Sequence, residues 1–151
     1  MRLSSLLSAA WVAIAAPFLF VPSADAGTRD TIDLTDHRIG LHQSSVTTDL
    51  AECPTAVAVD LMAHVEFTRT HGVFVGVRDF QCGDRTGFVV RLTANFGDGS
   101  HGSWSIVDSY GALAGLRGSG KIVGTPFGFD TEDPSDDGID DHYTGSITWT
   151  R

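Results

Sequence analysis

Apolar residues recur along this chain at every second position, not every third or fourth. Val57, Val59, Leu61, Ala63, Val65 and Phe67 alternate without a break. The residues between them include Ala56, Ala58 and Met62, which a helix would also accept. A strict period of two with β-branched content nonetheless predicts one long strand over Thr55–Phe67. Val73, Val75 and Val77 then share a face opposite Phe74, Gly76, Arg78 and Phe80, and Thr70-His71-Gly72 is short enough to make this run a hairpin partner. Cys82–Gly87 reads as a turn cluster, followed by a strand carrying Phe88, Val90, Leu92, Ala94 and Phe96. Asn95–Gly102 reads as another turn.

The stretch Gly102–Gly124 opens as a strand with Trp104 and Ile106 on one face. It turns through a glycine-rich corner and resumes as a strand around Lys121–Thr125. Gly111, Gly115, Gly118, Gly120 and Gly124 supply positions for positive φ or close backbone approach. A last strand, His142–Thr150, sets Tyr143, Ile147 and Trp149 against a row of Thr and Ser. Residues 27–45 are polar, anchored by Ile32, Leu34, Ile39 and Leu41, and fit either a first edge strand or an arm. Six to eight short strands with no helix between them predict an all-β chain, a single antiparallel β-barrel of about eight strands, calycin-like, over residues 46–151. A sandwich is the competing arrangement, and no repeat of solenoid length is present.

The first 26 residues change the compartment. Arg2, the apolar run Leu6–Val21 and the small residues Ala24 and Ala26 form a signal-peptide pattern. The run is interrupted by Pro17 and lacks a basic stop-transfer cluster, so a membrane span is the weaker reading, and none follows after cleavage. Cleavage after Ala26 leaves 125 of the 151 residues and a net charge of −9. That acidity opposes non-specific binding to nucleic acid or anionic membranes. Cys53 and Cys82 are the only cysteines, and an even count in an exported chain predicts a disulfide.

Three stretches carry candidate chemistry. Gly115–Lys121 matches G-x-x-x-x-G-K, but Ile122 stands where a phosphate loop needs Ser or Thr, and the residues that follow read as strand, so corner glycines account for it better than a nucleotide does. Asp130–Asp141 holds seven carboxylates in twelve residues. A calcium ion there would draw on Asp133, Asp137 and Asp141, but the closing ligand position falls on Thr144, and a solvated acidic loop is the plainer account. On the long strand, Asp60, His64 and Glu66 fall on one face at steps of about 7 Å if the strand is regular. Such a row could do acid/base work inside a cavity, with Arg78 or Arg91 stabilising an anion, and on the outside it is ordinary solvent-facing alternation. The histidines lack zinc-ligand spacing, and no cofactor is implied.

Gly102-Ser-Trp-Ser-Ile106 together with Tyr110–Gly120, and His142–Trp149 at the closing strand, resemble the allene oxide cyclase-like and dirigent-like barrels, above all small secreted bacterial members of that group. The resemblance implies an eight-stranded antiparallel barrel whose lumen takes an apolar ligand and steers it by confinement. Ser109-Tyr110-Gly111 stands where the relatives have Thr-Gly, and none of their catalytic residues maps onto a position here. The expectation is a secreted barrel binding a small apolar molecule without catalysis. A cyclase- or isomerase-like enzyme is the alternative, and a surface or interaction protein with a filled barrel is the third.

Overall fold

The computed structural model describes residues 30–40, 43–67, 71–97, 99–128 and 137–150. The proposed signal peptide lies outside them. Eight strands run in chain order: β1 (Asp30–Ile39), β2 (Gln43–Thr48), β3 (Thr55–Phe67), β4 (Gly72–Gly83), β5 (Thr86–Gly97), β6 (Gly99–Tyr110), β7 (Leu116–Phe127) and β8 (Gly138–Trp149). Each pairs antiparallel with the next, and β8 pairs with β1, closing an up-and-down barrel. Among the described residues no helix is long and apolar enough to cross a membrane.

Three segments fall elsewhere than the periodicity placed them. Within the polar stretch 27–45, β1 is neither arm nor sheet edge, because it hydrogen-bonds to β2 on one side and to β8 over ten register pairs on the other. Its short apolar row, Ile32 and Leu34, faces the core, so β1 and the whole of β2 belong to the barrel, which begins ahead of 46. The glycine corner is also tighter than the glycine spacing suggested. Only a single 3-10 turn, Gly111–Leu113, separates β6 from β7, with positive φ at Gly111 and Gly115. Gly118, Gly120 and Gly124 lie inside β7, where no helix follows, so the phosphate-loop geometry is not formed. At Gly145 of β8 the missing side chain makes room for the ring of Trp104, which donates from Nε1 to the Lys121 carbonyl at 2.9 Å, and at Gly120, the register partner of Trp104, it lets the β8 backbone lie close. The expected turn over Asn95–Gly102 contracts likewise, with β5 running to Gly97 and β6 beginning at Gly99.

The barrel is filled at one end. Phe80, Phe88, Leu34, Leu116, Ile147 and Tyr143 are all fully buried, with Phe80 stacked on Phe88 at 5.1 Å and edge-on to Tyr143 at 5.5 Å. Burial of each such side chain stabilises the fold by about 1.5–3 kcal/mol. Leu113 of the 3-10 turn is wholly buried in the same core. The Cys53–Cys82 disulfide ties the β2–β3 connection to the end of β4 here, with a Cα–Cα distance of 5.2 Å.

One seam departs from regular pairing. β2 meets β3 at only two register pairs, Val46 with Ala56 and Thr47 with Thr55. From Asp60 to Phe67 the β2 side of β3 has no strand partner among the described residues. Opposite β4 the register of β3 shifts between Asp60 and Met62, a β-bulge that inserts Leu61.

Candidate functional site

That bulge decides which β3 residues reach the interior. A period of two puts Asp60, His64 and Glu66 on one face, and the extra residue breaks the row because a one-residue insertion flips every later side chain. Asp60 turns inward and bonds Arg78 of β4. His64 and Glu66 turn out, pair with each other at 3.0 Å, and are 63% and 74% exposed. Val65, not His64, lines the lumen. Arg91 is also on the outside. The carboxylate–imidazole–carboxylate row is therefore not assembled, and every described histidine is exposed.

The lumen instead holds a different ionic group around Arg78, which is 3% exposed. Arg78 Nη1 donates to Asp36 Oδ2 at 2.9 Å, Asp141 Oδ2 at 3.0 Å and the Tyr143 hydroxyl at 2.7 Å. Its Nε donates to Asp60 Oδ1 at 2.9 Å. Arg38 of β1 completes the set, with Nη1 donating to Asp60 Oδ2 at 2.8 Å and Nε lying 3.3 Å from Asp36 Oδ2. Ser44 donates its hydroxyl to Asp36 Oδ1 and accepts the Ala58 N–H at 3.2 Å. Taking ions from water costs several kcal/mol each, and the cost is offset only where geometry and additional hydrogen bonds are good, as they are here. Arg38 and Ser44 also do mechanical work, since their contacts reach β3 where β2 supplies no ladder.

The environment divides these groups. Asp141 has its pKa raised, first by burial, with the Asp36 charge adding to it and Arg78 opposing. Burial pushes Asp60 the same way, but the Arg78 charge and hydrogen bonds from Arg38 and Arg78 win, and its pKa is lowered. Burial also holds the Tyr143 phenol neutral, its pKa well above the usual value despite Arg78. Arg78 stays cationic, the Tyr143, Asp36, Asp60 and Asp141 side chains overcoming its desolvation.

Above this group the barrel is hollow. A cavity of about 240 Å³ occupies the end opposite the disulfide, walled by Val65, Phe74, Leu92, Phe96, Ile122 and Ile139. Arg38, Arg78, Asp141 and Ser100 supply its polar surface. Phe74 and Phe96 meet edge to face at 6.5 Å, and Phe67, 80% exposed, lies against Gly72 nearby. At ~30 Å³ per water, the space suits about eight waters or a molecule of roughly ten non-hydrogen atoms.

The described residues take in part of the acidic stretch. Asp133 lies outside the described residues, and Asp137 accepts the Gly40 N–H through its backbone carbonyl at 2.9 Å. Asp141 belongs to strand β8 and is held by Arg78, so it is a lumen residue, not part of a surface loop. Among the described residues no group of three or more His, Cys, Asp or Glu side chains is placed to hold a metal ion.

Asp36, Arg38 and Tyr143 entered no candidate set at the sequence level. The signal was there as face membership: Asp36 continues the inward row of Ile32 and Leu34, and Arg78 sits among Phe74, Gly76 and Phe80. An eight-stranded up-and-down barrel, filled over one half and hollow over the other with an ionic floor between, is thus what the chain builds. No family model, curated protein or solved structure matches it.

Proposed function

We propose that this is an exported, non-catalytic binding protein that holds a small apolar molecule in the hollow half of its barrel. The observation that carries the reading is the cavity: about 240 Å³, walled mainly by aliphatic and aromatic side chains and closed below by a packed core. Pockets that are concave, mostly apolar and equipped with a few convergent polar groups are the usual form of small-molecule sites. The hollow half favours ligand binding over a filled-barrel interaction protein. Export fits the Cys53–Cys82 bridge, since disulfides persist in oxidising compartments. Likeness to the allene oxide cyclase-like and dirigent-like barrels of secreted bacterial proteins is part of the same proposal.

A cyclase- or isomerase-like activity is the second reading. It is favoured by one observation, the Asp141 carboxyl at the cavity wall, whose proton burial retains above the usual carboxylate range. Native mass spectrometry of protein from culture medium separates the two: a co-purified molecule that stays chemically unchanged on incubation fits carriage, and a converted one fits catalysis. Toluene is a direct probe of the site. It should bind the purified protein in calorimetry and raise its melting temperature, and Ala94→Leu, which puts bulk into the cavity, should abolish both effects. Wild-type protein that takes up no toluene would defeat the binding proposal.

A further inference from the structure

The walls of the cavity select an apolar body; its floor selects the head. Five ionisable side chains meet there in one network: Asp36, Asp60 and Asp141 against Arg38 and Arg78. With all three ionised, the carboxylates exceed the two guanidiniums by one negative charge, buried in a largely apolar lumen. The charges are not spread evenly. Asp36 and Asp60 each contact both arginines, whereas Asp141 contacts Arg78 alone. Among the described residues Arg78 is the one donor to the Asp141 carboxylate, at Oδ2, leaving Oδ1 for an incoming donor. Asp141 is also the one carboxylate of the three that lines the cavity, and its side chain is 9% exposed.

We infer that the molecule held in this barrel is a small apolar amine, its ammonium group seated on Asp141 and its body against Phe74, Leu92, Phe96 and Ile122. This assignment rests on the binding reading given above and sharpens it. A protonated amine brings the buried network to neutrality and gives the Asp141 carboxylate a donor beside Arg78. A carboxylate ligand would double the excess charge in a low-dielectric site, where like charges repel far more strongly than in water. Neither arginine offsets that repulsion, because each is already engaged by two or three carboxylates. Fatty-acid-like anions are therefore excluded by the floor even though the walls would accept their tails.

Four probes share one body and differ only in the head: toluene, benzyl alcohol, benzylamine and benzoate. Titrated into the wild-type protein at pH 7 by calorimetry, benzylamine should bind at least tenfold more tightly than benzoate, with the two neutral probes between them. In Asp141→Asn, checked for folding by circular dichroism, the amine-to-benzoate ratio should fall below threefold. Should that variant fail to fold, the wild-type protein still answers: the Asp141 carboxyl carbon resonance should move on adding benzylamine and stay in place with toluene. Toluene binding accompanied by equal affinities for benzylamine and benzoate would overturn the amine assignment and leave the cavity-binding proposal standing. No binding by any of the four would overturn the cavity-binding proposal itself, and the assignment with it.

Discussion

Replacing Arg78 by Met removes the cation that holds the lumen network together while keeping an unbranched chain of similar length. Four hydrogen bonds disappear: those to Asp36, Asp60, Asp141 and Tyr143. Charge-assisted bonds are worth about 1.5–3 kcal/mol each, but summing four overstates the loss, because Arg38 still faces Asp36 and Asp60. Among the described residues Asp141 has no such substitute, so in the folded variant it keeps its proton. In the unfolded chain it titrates near pH 3.9, and holding a proton at pH 7 against that value costs about 1.36 kcal/mol per pH unit, or about 4 kcal/mol. At pH 4, where the unfolded chain's carboxyl is already about half protonated, the full titration expression leaves about 0.5 kcal/mol. Breaking a buried ion pair typically destabilises by about 3–5 kcal/mol, in line with the first figure.

The sign follows from proton counts. A carboxyl with a raised folded pKa binds more protons folded than unfolded, so its stabilising contribution is present below pH ~4 and is lost as pH rises through the folded value. Asp141 already leans that way in the native protein, which reduces the difference between the two proteins somewhat. The expected gap at pH 7 is roughly 3–4 kcal/mol, a large part of the ~5–15 kcal/mol that holds a domain together. Urea unfolding followed by tryptophan fluorescence at pH 7, 5.5 and 4 measures it, with Trp104 beside Tyr143 reporting on the lumen. A gap under about 1 kcal/mol at pH 7, or one that does not narrow toward pH 4, would refute the reasoning that Arg78 holds buried carboxylates in their charged form.

Two other predictions concern separate parts of the barrel. The double variant Cys53→Ser, Cys82→Ser opens a link across 29 positions and should lose about 3.5 kcal/mol on the loop-entropy model, yet retain toluene binding, since the bridge lies at the filled end. Equal stability of the oxidised and serine proteins in urea would contradict that role. Asp60→Ala removes both bridges from β3 to Arg38 and Arg78, so amide hydrogen exchange should accelerate over Asp60–Phe67 and much less in β5. Uniform exchange across the two strands would show that the seam does not depend on these ions.

Much of this architecture is legible from a period of two alone, and the reason is physical. A strand buried on one face must alternate, and Phe88, Val90, Leu92 and Ala94 do so without exception, all four being buried. Periodicity also tells which residues travel together along a regular strand. It does not tell where a strand miscounts. Nothing in Val59-Asp60-Leu61-Met62 marks a bulge, and the insertion of Leu61 there is settled by how β3 registers against β4. That single residue separates Asp60 from His64 and Glu66, which is why an apparent catalytic row became one lumen ligand and one surface pair.

The ionic floor was hidden for a different reason. Its members are spread over β1, β3, β4 and β8, and each taken alone reads as solvated or as loop. Asp36 sits in a polar segment, Asp141 at the end of an acidic run, Arg78 in a strand whose opposite face is valine-rich. Their common feature is position on a row that is otherwise apolar: Ile32-Leu34-Asp36, Phe74-Gly76-Arg78-Phe80 and Asp141-Tyr143-Gly145-Ile147. A charge buried alone is too costly to persist, so any one of these rows, once assigned to the interior, requires a counter-charge on another. Three such rows in one barrel imply that the charges meet. An excess of carboxylates over guanidiniums where they meet is then a property of composition, and it passes directly into what the cavity above can hold.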